Sequence, residues 1–410
     1  MKINATHLSL GKPWQRNLAV ISLAELIAIS GFSVFMPFMP YYVQELGVTR
    51  LEEVEFWSGL LLTSQAVTMA AVAPLWGLLA DRYGRKIMVV RAMFGGSVVI
   101  ALMGLANSVG QLVVLRAIQG VLTGTVPAAT TLVASGTPPE RRGYALGLLQ
   151  MAIYSGASVG PMLGGLIADH VGYQATFWVT GALLFSAGVL VSALVHEEFT
   201  SPEKSDSRKK SHLWDGLVMV LRTRALVSVF AISVLMRMGM RVVGPMLPLF
   251  VQEIAAAGTK VASLTGAIEG AGAAAAAVAA VVLGRISDRL GYRRILLICG
   301  VVACALFGAM AAVQTPTQLL ILRALGGAAM GGIVASTSAL QARLVPKDRF
   351  GAVYGVDTSV VAVANAAAPM IGAVLAASYG LPSVFLGAAA LYGVATLVVS
   401  VAVPGNENAP

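Results

Sequence analysis

The chain has 410 residues, of which 57% are hydrophobic and only 11% charged, with a formal net charge of +9. Soluble domains carry about a quarter charged residues, so a water-soluble globular fold is excluded. Two cysteines five apart, Cys299 and Cys304, form neither a disulfide framework nor a metal-ligand pattern.

Apolar runs long enough to cross a bilayer as helix, about 20 residues each, recur from end to end. They predict twelve spans at roughly 17–43, 56–80, 87–107, 111–135, 142–168, 173–195, 224–252, 261–284, 293–313, 317–341, 350–377 and 382–403. The runs are rich in Ala, Leu and Gly and show no period-2 alternation, which argues against a barrel of strands. The predicted class is therefore all-α and membrane-embedded, with halves at 1–195 and 224–410 joined by a polar linker at 196–223 that carries Arg208-Lys209-Lys210. The first run is too long for a signal-peptide core and is expected to be retained.

Most of the 28 Lys and Arg fall in the N-terminus, the even-to-odd loops and the linker, whereas only Arg50 and Lys260 occupy loops on the other side. The positive-inside rule then predicts that both termini are cytoplasmic. The basic balance is a topology signal, and no nucleic-acid partner is implied.

Span 1 holds Glu25 and the aromatic and Met residues Phe32, Met36 and Phe38, and ends in Pro37-x-x-Pro40-x-x-Val43-Gln44-Glu45. The turn after span 2 reads Gly77-x-x-x-Asp81-Arg82-x-Gly84-Arg85-Lys86. Gly77 permits close helix approach, Gly84 a tight turn, and Asp81 can complement a helix N-terminus. Span 4 carries Arg116-x-x-Gln119-Gly120-x-x-x-Gly124. A charge there is costly unless paired or hydrogen-bonded, for instance to backbone carbonyls of a neighbouring helix. Span 5 carries Gly156-x-x-x-Gly160-Pro161-x-x-Gly164-Gly165, a smooth stripe for helix packing with a proline that frees a carbonyl. Ser158 within it matches a hydrolase nucleophile-elbow pattern, but it sits mid-helix without a base, so no enzyme is expected. No phosphate-binding loop is present, so ATP is not the expected energy source. In span 7, Arg237 and Arg241 share one helical face; they suit either ion pairs with embedded acids or recognition of an anionic group.

The chain repeats itself. Pro37-x-x-Pro40, Asp81-Arg82-x-Gly84, Arg116-Ala117 and Pro161-Met162 return 207 or 208 residues later as Pro245-x-x-Pro248, Asp288-Arg289-x-Gly291, Arg323-Ala324 and Pro369-Met370. Tandem membrane repeats of this kind build transporters with a central site open to alternate sides.

The loop at 77–86, with its partial copy at 284–293, resembles the signature of the major facilitator superfamily, G-x-x-x-D-R-x-G-R-[RK]. The resemblance implies two pseudo-symmetric six-helix bundles and a latch of Gly77, Asp81, Arg82, Gly84, Arg85, Asp288 and Arg289 that joins the halves on the cytoplasmic side. Gly156, Gly160, Pro161, Gly164 and Gly165 resemble the antiporter signature of the drug/proton exporters within that superfamily. Its second-half counterpart at Asn365 to Gly372 lacks the full stripe. Arg116 matches a third signature, linked to proton coupling. The overall pattern is similar to the MdtG-type multidrug exporters. The implied protein is a monomeric exporter of small amphipathic compounds in the bacterial cytoplasmic (inner) membrane, driven by protons, with no cofactor or metal. A lipid flippase or an anionic-metabolite exporter on the same fold stands as the alternative, and a non-transporting receptor is disfavoured by the latch loops and buried charges.

Carboxylates well inside spans are expected at Glu25, Glu269 and Asp357. Such residues are costly to place in lipid and are functional by default; removal from water favours the neutral acid, as a reversible proton carrier requires. Proton coupling is therefore expected at Glu25, Glu269, Asp357 and Arg116, and substrate binding at Glu25, Phe32, Met36, Arg237, Arg241 and Glu269.

Overall fold

A computed structural model describes residues 13–197, 224–344 and 350–402. Twelve helical spans are present, each long and apolar enough to cross a membrane. In the first half they are α1 (Pro13–Phe35) with α2 (Met39–Glu45), α3 (Leu51–Tyr83), α4 (Arg85–Met103), α5 (Val109–Leu122) with α6 (Thr125–Gly136), α7 (Arg142–Val171) and α8 (Tyr173–Leu194). The second half holds α9 (Arg224–Val243) with α10 (Leu247–Ile254), α11 (Val261–Leu290), α12 (Tyr292–Met310), α13 (Pro316–Leu344), α14 (Phe350–Tyr379) and α15 (Pro382–Ala402). Most of the predicted linker and the side chains of Asp81, Asp288 and Asp357 lie outside the described residues.

The first span of each half is interrupted where its Pro-x-x-Pro begins, at Met36–Phe38 and again between Val243 and Leu247. Proline removes an N–H and crowds the preceding turn, so each break falls where the sequence demands it. The turns after α3 and α11 are made by Gly84 (φ 96°) and Gly291 (φ 91°), in a backbone region that only glycine enters freely.

Span 2 begins at Leu51, earlier than the expected residue 56. Glu52 and Glu53 occupy its first turn, where acids complement the positive end of the helix dipole. The extension also brings Glu55 inside the helix, 2% exposed. It is a fourth embedded acid that the sequence reading had placed in a loop.

The glycine stripe of α7 does what its spacing suggests. Side chains added at Gly156 and Gly160 would meet the backbone of α1 at Leu26 and Ser30, and at Gly164 that of Val34. Gly165 faces the other way, onto Ala262 and Ser263 of α11. Helix α7 is thus wedged between its own half and the other.

The halves touch along two seams, α7 against α11 and α3 against α14, with a smaller contact of α2 with α10. Thr63 donates to the Ala366 carbonyl (2.9 Å) and Ser158 to the Gly270 carbonyl (3.2 Å) further along the seams, but most hydrogen bonds between described residues of the two halves lie towards the end that bears Gln44 and Gln252. There Tyr41 donates to the Pro248 carbonyl (2.6 Å) and meets the Thr265 hydroxyl (2.8 Å). Gln44 and Gln252, partners in the repeat, bond each other at 3.0 Å and 3.2 Å. At the opposite end the halves are apart. Leu75 and Leu78 of α3 are exposed, and a side chain at Gly77 would meet nothing within 4 Å. The close approach that Gly77 permits is not made in this conformation.

Candidate functional site

Midway through the first half, Glu25 lies on α1 with 0% exposure, among Ile21, Ala28, Met93, Ala129 and Leu149 of the half's own apolar core. Neither carboxylate oxygen makes a hydrogen bond, and Ser22, one turn earlier, also has an unbonded buried hydroxyl. The Thr125 hydroxyl lies near Glu25. Thr125 begins α6 just after a break in span 4, where Gly124 takes φ 122° and Thr123 turns its hydroxyl back to the Gln119 carbonyl at 2.7 Å. The corresponding span of the second half, α13, runs unbroken.

This placement corrects one expectation. Glu25, expected on the space between the halves, is closed off from it in this conformation. Its side of α1 is covered by α6 and α7, which the glycine stripe lets approach closely.

Arg116 on α5 is 1% exposed. Its guanidinium donates to Gln119 Oε1 (2.6 Å), the Leu61 carbonyl (3.3 Å), Gln65 Oε1 (3.4 Å) and the Met36 sulfur (3.4 Å). All four acceptors are neutral. Only Leu61 offers a backbone carbonyl; the others are two side-chain amides and the Met36 thioether. Phe32 packs inward, close to Gly96 of α4. Both Met36 and Phe32 keep part of their surface exposed.

The repeat partner behaves differently. Arg323 on α13 bonds both oxygens of Glu269 on α11, at 3.3 Å and 3.2 Å, with side-chain exposures of 10% and 22%. Glu269 stands at the repeat position of Leu62, so the second half has an embedded ion pair where the first has an arginine held by amides. Of the embedded acids Glu25 and Glu269, only Glu269 is partly exposed here.

Arg237 and Arg241 on α9 are both exposed, and neither makes an ion pair or hydrogen bond among the described residues. Arg241 nonetheless stands close enough to Arg116 of the other half to interact with it electrostatically. Exposure combined with proximity to the opposite half places the pair on the space between the halves.

Two acids that cap helix starts escaped the sequence reading. Asp169, in the last turn of α7, accepts the backbone N–H groups of Ala262 (3.3 Å) and Ser263 (2.6 Å) at the start of α11. An acid at a helix C-terminus opposes its own dipole, and that mismatch was the available signal. Glu197, after α8, accepts the N–H groups of Arg85 (3.0 Å) and Lys86 (2.7 Å) at the start of α4. Ser158 donates to the Gly270 carbonyl across the seam at 3.2 Å, a packing role.

A membrane protein with two pseudo-symmetric six-span halves, closed together at one end and parted at the other around embedded charges, is a transporter of the alternating-access class. The chain belongs to the Major Facilitator Superfamily, whose profile matches residues 21–254 and 229–410. It is 35% identical over 372 residues to the multidrug resistance proteins MdtG of Salmonella dublin and Salmonella typhimurium strain LT2, with 91% of each chain covered. Solved structures share the fold at low identity. A bacterial homologue of the human lysosomal transporter Spinster, inward-facing and unoccupied, aligns with a TM-score of 0.75 at 14% identity, covering 96% of each chain. The nucleoside transporter NupG aligns with a TM-score of 0.74 at 13% identity, covering 94% of this chain and all of that one.

Proposed function

We propose that this chain is a proton-coupled exporter of small amphipathic compounds, an antiporter that works as a monomer in the bacterial cytoplasmic membrane with both termini in the cytoplasm. The observation that carries this reading is the pair of embedded acids in contrasting settings. Glu25 is enclosed without a partner, and Glu269 is open to water on an ion pair. Similarity to the MdtG proteins supports a drug-like cargo, and the lysine and arginine bias supports the orientation.

On this orientation the parted end faces the cytoplasm, so the structure is inward-facing. Cargo enters from the cytoplasm while the Tyr41, Gln44 and Asp169 contacts keep the outer end shut. Rocking of the halves breaks those contacts and brings the loops at 77–86 and 284–293 together as the inner latch. A proton from outside then neutralises Glu25 or Glu269, cargo leaves, and the return step delivers the proton to the cytoplasm. The break at Gly124 lets α6 move away from Glu25 without displacing α5, which is how an enclosed acid regains contact with water.

The test is exchange in proteoliposomes with and without an imposed pH gradient, using a fluorescent amphiphile. Wild type accumulates the probe against its gradient when the pH gradient is applied. Glu25→Gln retains probe-for-probe counterflow and loses gradient-driven accumulation. If Glu25→Gln and Glu269→Gln both still accumulate at the wild-type rate, proton coupling through these acids is excluded.

A further inference from the structure

Arg237 and Arg241 are one helical turn apart, so their side chains emerge from the same face of α9. The opposite face is committed to the second half: Ile232, Met236, Val242 and Val243 are buried, and α9 packs on α13, α14 and α15. The arginine face looks towards the first half, where Arg116 lies close to Arg241, and Arg237 in turn lies close to Arg241. Three guanidinium groups therefore lie within electrostatic reach of one another across the boundary between the halves. Of these, Arg116 has its hydrogen bonds met by neutral acceptors, while the other two have no partner among the described residues. The embedded acids described do not balance them. Glu269 is held by Arg323, Glu25 is sealed in the core of the first half, and Glu55 sits at the start of α3 beside Glu52 and Glu253.

We propose that Arg237 and Arg241 form a subsite for the anionic head group of the transported amphiphile, a carboxylate, sulfonate or phosphate. This rests on the reading that cargo occupies the space between the halves, and it adds the sign and chemistry of that cargo. Like charges at this spacing repel, and in surroundings of low dielectric the repulsion is strong. A bound oxyanion relieves it. The planar guanidinium fork presents paired N–H donors that match two oxygens of such a group. Met240, 39% exposed and adjacent in sequence to Arg241, offers a flexible apolar surface for the tail. The pair has no counterpart in the first half, where Ile29 and Ser33 hold the repeat positions; recognition of the head group is therefore assigned to one half alone.

The test uses the full chain in phosphatidylcholine nanodiscs, with octanesulfonate and its uncharged methyl sulfone analogue as probes, and binding read by intrinsic fluorescence. Wild type is expected to prefer the sulfonate by about tenfold or more, the scale of a charge-assisted hydrogen bond. Arg237→Gln with Arg241→Gln removes that preference and leaves sulfone affinity unchanged, which also shows that the variant is folded. The paired Lys variants keep part of it. Replacing half of the phosphatidylcholine by phosphatidylglycerol separates two sources of the anion. A fall in sulfonate affinity confined to wild type identifies a lipid head group as occupant of the same clamp, and no change identifies a soluble anion. Equal wild-type affinity for both probes, or a sulfonate preference that survives the double Gln substitution, overturns the proposal. Because the readout is binding, this result is independent of whether proton-driven exchange succeeds or fails.

Discussion

The Asp169 carboxylate accepts the backbone N–H of Ser263 at 2.6 Å across the boundary between the halves. It caps α11 from a different half of the molecule, so the bond exists only while this end is closed. The other seam has no copy of it, since Ala377 occupies the repeat position of Asp169 on α14. A carboxylate on a partly buried helix N-terminus contributes about 1–2 kcal/mol. Asp169→Ala is expected to reduce the closed population of this end about five- to thirtyfold relative to the open one. Spin-label distances between Thr259 and Gln174, across the same seam, would lengthen in the variant; an unchanged distribution would remove Asp169 from the gate.

Glycines on the two faces of the α7 wedge should fail in different ways. A methyl group at Gly160 overlaps Ser33 and the Ser30 carbonyl within the first half, whereas one at Gly266 overlaps the Pro161 carbonyl across the seam. Gly160→Ala is expected to lower thermal stability by about 1–3 kcal/mol, the scale of overpacking. Gly266→Ala is expected to spare each half and to prise the closed end open. The measurement is thermal unfolding alongside the same inter-half distance, and equal stability losses without a distance change at Gly266 would contradict this division.

Breaking the Glu269–Arg323 pair leaves a buried guanidinium uncompensated. Removal of one partner of such a pair costs about 3–5 kcal/mol when burial is complete, and less here because Glu269 is partly exposed. Glu269→Gln is expected to destabilise the second half, with Arg323→Gln added to it restoring part of the loss. A double-mutant cycle on unfolding midpoints checks this, and strict additivity would show that the two charges are not coupled.

Arg116 presents the opposite case, since its acceptors are neutral. Arg116→Lys places a single ammonium where a fork now serves Leu61, Gln65 and Gln119, and a drop in stability of about 1–3 kcal/mol is expected for the acceptors left unmet. Counterflow rates that fall while stability holds would instead assign Arg116 to transport itself.

Twelve spans and the glycine turn at Gly84 with its repeat at Gly291 were legible, because each follows from local chemistry: apolar length and a positive φ; the breaks at the two Pro-x-x-Pro sites lay inside spans read as continuous. The α7 stripe was legible as a packing face for the same reason. Depth and partner were not. Glu25 and Glu269 look alike in sequence, each an acid in an apolar run, yet one is sealed and the other ion-paired. Glu55 passed as a loop acid because the start of a span is set by where the helix packs as well as by hydropathy.

Local patterning alone settled the lipid-embedded class, the duplication and the signature loops, since periodicity and residue size are properties of a stretch of chain. Which charges meet, which stand unpaired, and which end of the molecule is shut were decided by the tertiary structure. Residues hundreds of positions apart come together only when helices cross, and the two halves, alike in backbone, differ in every embedded charge except the arginines Arg116 and Arg323.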